Sequence, residues 1–326
     1  MAFRLKLVPA ETKIDFFRWQ FVTFGFSALL SVLSVVFLLM FGLNFGIDFR
    51  GGTTIRTEST QAVDVGAYRD ALQTLDLGDV AISEVFDPTF RDDQHVAQVR
   101  ISAQDNVESV TPETINAVEA ALQEVDPSIT FPSVESVGPK VSGELIQTAI
   151  YAVLASLVAI SIYIWLRFEW QFAIGAIVSL VHDVLITMGI FSLFQIKFDL
   201  TTIAALLTIV GYSINDTVVV FDRLRENLMK YKKRALRDLM NLTVNETLSR
   251  TLMTSGTTLV ALIALLVLGG DVIRSFVFAI TFGILIGTYS SVYVAKNVVL
   301  WLGVKRDWSK KDPKEDGSPF SGAEAP

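Results

Sequence analysis

The sequence predicts an α-helical polytopic membrane protein with six transmembrane helices and one ferredoxin-like α+β domain between helices 1 and 2. Three observations carry that prediction. Six apolar stretches are long enough to cross a bilayer, and five of them follow residue 142 almost end to end. Of the 326 residues, 51% are hydrophobic and 19% charged, with mean hydropathy +0.48; a soluble chain carries about 25% charged residues. The long polar segment 42–142 reads as strands and helices in alternation.

The first span is expected at 19–41. It starts well in from Met1 and no small-x-small cleavage site follows it, so it reads as an anchor rather than a cleaved leader. The others are expected at 145–166, 172–194, 201–221, 251–269 and 275–302, each near the roughly 20 residues a helix needs to cross. Trp19, Trp165, Trp170 and Trp301 fall near span ends, as an interfacial aromatic belt requires. Lys and Arg concentrate in 1–18, in 222–250 and in 303–326, which six spans place on one side; the positive-inside rule makes that side the cytoplasm. The tail 303–326, rich in Lys, Pro, Ser and Gly, is expected to be disordered.

Within 42–142, Thr54 and Thr57 belong to a strand entry, and Val65, Tyr68, Leu72 and Leu75 have helical spacing. Residues 80–86 and 96–101 alternate like strands. Thr111-Pro112-Glu113 is a helix start: a hydroxyl cap, proline first, then an acid. Ile115, Val118, Leu122 and Val125 make that helix's apolar face, Asp126-Pro127 ends it, and 129–137 is a last strand. The order β-α-β-β-α-β is a split ferredoxin-like unit, a shape that implies no function by itself.

No cysteine is present, which excludes thiolate chemistry, and the two histidines, His95 and His182, are too few for a histidine-based metal centre without carboxylate help. No cofactor, metal or catalytic residue is expected. The basic stretch 222–250, with Leu224, Leu228, Tyr231 and Ala235 on one face, reads as an interfacial helix on anionic membrane lipids. Basic charge there is what topology requires, so nucleic acid is not expected as a partner. Thr243-Val244-Asn245-Glu246 has the form of a capping box opening a fresh helix.

Two carboxylates sit inside apolar runs, Asp183 and Asp216. A charge at bilayer depth costs a few kcal/mol or more and usually marks an ion or proton route. Asp216, flanked by Ser213, Asn215 and Thr217, is the candidate proton carrier. Arg250, at the start of the antiparallel fifth span, is its candidate partner or else a snorkelling terminal arginine. Asp183 is expected to hydrogen-bond within the bundle. His182 points about 100° away from it, so the two do not face one target. Lys296 is expected to snorkel. Gly175, Gly189, Gly211, Gly256, Gly283 and Gly287 suit close helix approach, above all Gly283-x-x-x-Gly287.

Three strings carry a family resemblance. Gly46-Ile47-Asp48-Phe49-Arg50-Gly51-Gly52-Thr53 resembles the G-[IL]-D-F-x-G-G-T signature of the SecD/SecF family. Gly211-Tyr212-Ser213-Ile214-Asn215-Asp216, running on to Asp222-Arg223, resembles that family's fourth-span signature. Asn245-Glu246-Thr247-Leu248-Ser249-Arg250-Thr251, with Thr254-Ser255, is similar to its fifth-span entry, and Val181-His182-Asp183 fits the SecF side better than the SecD side. The resemblance covers about 15–305. Length and a single modest external domain fit a separate SecF-type subunit.

The resemblance implies half of a resistance-nodulation-division (RND) bundle in the inner membrane, both termini cytoplasmic and the 42–142 domain periplasmic. It implies pairing with SecD beside SecYEG and SecA, with YajC and YidC as further candidates, and work on unfolded exported polypeptides powered by the proton motive force. Asp216 and Arg250 then match the family's proton-pathway acid and arginine, with Asp183 and His182 as added candidates. Gly46, Asp48, Phe49, Gly51, Gly52 and Thr53 match the joint between membrane and periplasmic parts. An RND-type exporter of small molecules or lipids is the alternative; it would be expected to have larger external domains and twelve spans. An intramembrane aspartyl protease needs a Gly-x-Gly-Asp setting, which the residues before Asp216 lack.

Overall fold

The computed structural model describes residues 12–75, 77–87, 90–102 and 110–304. Residues 305–326 of the expected disordered tail and the basic residues before 12 lie outside them. Six helical segments among the described residues are long and apolar enough to cross a membrane.

The first is α1 (Gln20–Phe41). Beyond it come a two-residue strand β1 (Asn44–Phe45) and a single helical turn, α2 (Ile47–Arg50). A four-stranded sheet domain then forms from β2 (Gly52–Ser59), α3 (Val65–Gln73), β3 (Val80–Val85), β4 (His95–Ser102), α4 (Pro112–Val125) and β5 (Thr130–Val137). The strand order is β3-β4-β2-β5 with every neighbouring pair antiparallel, the arrangement of a split ferredoxin-like unit. Both helices start where their caps dictate. Asp64 accepts from the Ala67 amide, and Thr111 accepts from Thr114 with Pro112 in the first turn. Ile55, Tyr68, Leu72, Val99, Val118 and Leu122 form the core between helices and sheet.

The remaining spans are α5 (Pro139–Arg167), α6 (Trp170–Leu193), α7 (Leu200–Lys230), α8 (Leu236–Leu268) and a composite last span: α9 (Asp271–Ser290), a π-helical stretch (Ser291–Ala295) and α10 (Lys296–Leu302). A short strand β6 (Lys197–Phe198) joins α6 to α7 and pairs in parallel with β1.

α5 starts six residues before its expected limit, α7 runs nine residues past its own and α8 starts fifteen residues early, so the expected loop at 222–250 shrinks to the five residues 231–235. Leu224 and Leu228 of α7 bury against Leu239 and Met240 of α8, so a packed antiparallel hairpin replaces the expected interfacial helix. No helix starts at Thr243. Its hydroxyl donates to the Leu239 carbonyl at 2.8 Å, inside an unbroken α8.

The bundle is polar within and apolar without. Ser179, Asp183, Thr187, Ser213, Asp216, Thr217, Ser255 and Ser290 are buried, while Phe21, Leu39, Leu154, Val260 and Leu268 are more than half exposed. Without a hydrophobic force between helices in lipid, small residues and interhelical hydrogen bonds hold such a bundle. Gly283 and Gly287 do this for α9 on α7: a Cβ at 283 would collide with Ile209, and one at 287 would lie 3.2 Å from Ser213 Cβ. Gly175 and Gly189 likewise meet Val299 and Ser34, whereas Gly211 and Gly256 face open space. Trp19, Trp165, Trp170 and Trp301 are all about half exposed at span ends.

Candidate functional site

Three clusters hold the sequence-flagged residues. The innermost is built on Asp183 of α6, whose carboxylate is sealed from solvent. Ser213 of α7 and Ser290 of α9 donate to its Oδ2 at 2.6 and 2.8 Å, and Ser179 donates to Ser290 at 3.0 Å. Asp183 therefore ties three helices together at one point. His182 does join it: Nδ1 lies 3.0 Å from Oδ1. The two side chains leave the helix about 100° apart, but the short carboxylate turns one oxygen back to the ring and gives the other to the serines. His182 Nε2 is buried without a hydrogen-bond partner among the described residues, and its ring stacks on Tyr289 at 6.4 Å. Tyr289 in turn donates to the Thr23 carbonyl and accepts from Ser27, drawing in α1.

Asp216 lies one turn beyond Ser213 on the same helix and is 4% exposed. Ser255 and the charge of Arg250, both on α8, reach its carboxyl group. Yet no ion pair within 4 Å joins Asp216 to Arg250 among the described residues, and Arg250 is exposed. Its guanidinium lines a polar pocket of about 470 Å³ at the end of α5, α7 and α8. The rim of that pocket uses the fourth-span signature. Arg167 pairs with Asp222 at 2.8 Å, Arg223 pairs with Glu226 at 2.7 Å and Glu246 at 2.8 Å, and Asn227 donates to Glu246 at 2.7 Å. Asp222 lies six residues, roughly 9 Å, from Asp216 along α7. Asn215 and Gly211 point out of the chain on the opposite face.

The third cluster is the glycine signature. Gly51 and Gly52 adopt φ of +71 and +115, conformations that disfavour any side chain, and turn the chain from α2 into β2. Around them the segment is clamped. The Gly46 amide donates to Phe198 O at 2.8 Å, Ser142 Oγ donates to Ile47 O at 3.3 Å, and Thr53 Oγ1 bonds Ser136 at 2.8 Å. Asp48 Oδ2 accepts from the Leu200 amide at 3.0 Å, an otherwise unpaired donor in the first turn of α7. Phe49 packs with Phe45 and Phe198. The sheet domain rests on this platform through Arg100, which reaches Phe45 O at 3.5 Å. It rests on α9 through Arg274, which donates to Phe86 O at 2.9 Å and pairs with buried Asp87 at 3.4 Å.

Sequence reasoning missed one charged residue outright. Lys296 does not snorkel; it is 2% exposed, and Nζ has no hydrogen-bond partner among the described residues. Rings of Phe17, Phe16 and Tyr293 lie 4.3, 4.9 and 5.1 Å from the amine, a cation–π enclosure. Residues 12–17 form its cover, held by Asn245, which grips both the N–H and C=O of Ile14, and by Asn241 on the Phe16 amide. The signal available was the Phe16-Phe17 pair just before the first span.

A family model described as protein export membrane protein SecD/SecF, C-terminal, matches residues 117–305, and the SecD/SecF GG motif matches 36–63. A protein translocase subunit SecF of Cereibacter sphaeroides is 71% identical over all of both chains. That of Rickettsia akari is 40% identical over 90% of this chain and 94% of its own. The crystal structure of SecDF from Thermus thermophilus superposes with a TM-score of 0.80 at 36% identity over 90% of this chain. A SecDF structure in a super-membrane-facing form gives 0.66 at 37% identity. The chain spans 39% of the length of each of those SecDF chains. The chain belongs to the SecD/SecF family of protein-export membrane proteins, on its SecF side.

Proposed function

We propose that this chain is the SecF-type subunit of a Sec protein translocase and couples the proton motive force to late steps of polypeptide export. In this reading it sits in the cell inner membrane with both termini cytoplasmic, pairs with SecD, and works beside SecYEG and SecA, with YajC and YidC as further partners. It is not an enzyme.

The observation that carries the reading is Asp216: a carboxylate 4% exposed in a membrane-length helix, without a 4 Å ion pair among the described residues, beside a polar pocket that ends at Arg250. Protons entering through the pocket bind Asp216, and the change in charge shifts how α7 sits against α8. The serine cluster at Asp183 with His182 lies one turn further along α7 and supplies the next proton-binding groups. The far end of α7 is bonded to Asp48 in the glycine signature, so the helix joins the titrating acid to the joint that carries the sheet domain. Arg250, Asp222 and Arg223 shape the entry, and Gly46, Gly51, Gly52 and Thr53 form the joint. SecD is the fitting cover for the outer face of α7, because an exposed mid-span amide such as Asn215 is costly against hydrocarbon.

The test is Asp216→Asn in membrane vesicles depleted of the native subunit. Export driven by an imposed proton gradient is expected to fall at least tenfold, while insertion and pairing with SecD persist. Wild-type export kinetics across a series of gradients would remove the proton role.

A further inference from the structure

A cavity of about 390 Å³ lies beneath the joint, between the glycine signature and spans α5, α6 and α7. Phe45, Phe49 and Phe198 roof it, Met188 closes its inner side, and Ile150 and Leu154 stand at its α5 wall. Its lining is apolar throughout. Water has no polar group to hold it there, and a polypeptide backbone would leave its N–H and C=O groups unpaired. Any group that enters it has to be hydrocarbon. The mouth faces outward, since Ile150 and Leu154 are each more than half exposed on a span that is mostly bare.

The rim above the cavity has the opposite character. Arg100 of β4 bonds the carbonyl of Phe45, one of the roofing residues. Arg50 ends α2, one residue past Phe49, and lies close enough to Arg100 for the two charges to repel. Burial, then that repulsion, hold the Arg100 guanidinium below its ordinary range. No carboxylate lies within 4 Å of either arginine among the described residues. The one nearby acid of the signature, Asp48, is engaged on the Leu200 amide. Two adjacent, uncompensated guanidinium groups at the membrane edge of an apolar slot match the two ends of one molecule, since arginine is the preferred side chain for phosphate oxygens.

We propose that this is a phospholipid site: a lipid from the leaflet on the sheet-domain side places one acyl chain in the cavity and its phosphate on Arg50 and Arg100. The lipid then touches both partners of the joint at once, the clamped signature below and the sheet domain above.

The experiment uses the full chain, reconstituted with phosphatidylglycerol and phosphatidylethanolamine, extracted in mild detergent and weighed by native mass spectrometry. The wild type is expected to retain one phospholipid. Arg50→Gln, which keeps the Arg100–Phe45 bond, is expected to lower retention severalfold, and Arg50→Gln with Arg100→Gln, which also removes that bond, about tenfold. Ala149→Phe, which fills the slot from the α5 wall, is expected to do the same with an unchanged elution volume and helix content. Millimolar inorganic phosphate is expected not to displace the lipid. A lipid-free wild type, retention unchanged in the double arginine variant, or displacement by inorganic phosphate each overturns the assignment.

Discussion

Replacing Asp48 by alanine is expected to loosen the joint without unfolding what it joins. Asp48 Oδ2 receives the Leu200 amide at 3.0 Å, at the positive end of the 31-residue helix α7. Losing a side-chain acceptor at a helix start costs about 1 kcal/mol, and losing a carboxylate from the helix N-terminus about 0.3–1 kcal/mol more. The sum, about 1.5 kcal/mol, is slightly more than a tenfold change in an equilibrium constant. It falls on the local opening of the clamp, because β1 and β6 hold each other through only two paired residues and the Gly46–Phe198 bond. Hydrogen exchange of the full chain in nanodiscs reads that opening directly. Amides at 44–46 and 197–200 are expected to exchange about ten times faster, and those of β2, β4 and β5 at the wild-type rate. Asp48→Asn keeps an acceptor and drops the charge, so roughly a threefold rise is expected. A change below twofold at both segments, or an equal rise across the sheet, refutes the clamp.

Other perturbations probe the remaining contacts. Arg274→Ala removes the bonds to Phe86 and Asp87, and is expected to raise exchange at the α8–α9 turn and shift a spin-label distance between the sheet domain and α9; an unchanged distance distribution would count against docking. Lys296→Met replaces a buried, unbonded cation with an apolar side chain of similar length, and is expected to raise the thermal midpoint, since such exchanges are often neutral or stabilising. Phe17→Ala is expected to lower it, at a cost of about 3–5 kcal/mol. In the sheet domain, burial pushes the Asp126 carboxyl up, but hydrogen bonds from Ser59 and Ser128 outweigh it and hold it below the ordinary range. That stabilisation is present above the unfolded pKa of about 3.9 and is lost as pH falls through the lower folded value. Ser59→Ala is therefore expected to move acid-induced exposure of β2 and β5 to higher pH; superimposable acid curves would refute it.

The spans and the sheet elements were legible because each rests on a local pattern. Apolar length marked the six helices, and Thr111-Pro112-Glu113 marked the start of α4 at the right residue. What local pattern misjudged was decided by tertiary packing. Thr243-Val244-Asn245-Glu246 has the letters of a cap, yet Leu239, Met240 and Val244 are buried in one continuous helix, and packing outweighs a signal worth about 1 kcal/mol. Lys296 has the position of a snorkelling lysine, but residues 12–17 fold over it, and nothing in its own neighbourhood foretells that. The site residues divide in the same way. Asp183 and Asp216 were visible as acids in apolar runs. Ser290, which completes the Asp183 cluster, was one small hydroxyl among many, and only the close approach allowed by Gly283 and Gly287 brings it there.

Energy scales bear on the proposed function. Among the described residues, the sheet domain meets the membrane part through polar contacts that include the Arg100–Phe45 bond, the Arg274 bonds to Phe86 and Asp87, and the clamped signature. A hydrogen bond involving a charged group contributes about 1.5–3 kcal/mol, so releasing the Arg274 contacts costs a few kcal/mol. One charge moved across the membrane potential yields about 2.3 kcal/mol per 100 mV. The two are of the same order, so if Asp216 carries the proton as proposed, a single protonation cycle would suffice to exchange a docked sheet domain for a released one and would not unfold it. If α7 links the acid to the joint, weakening either end should have different signatures. Asp216→Asn would abolish the dependence of domain position on the gradient. Arg274→Ala would keep that dependence but bias the rest position toward release. Identical responses from the two variants would mean that acid and domain do not communicate through α7.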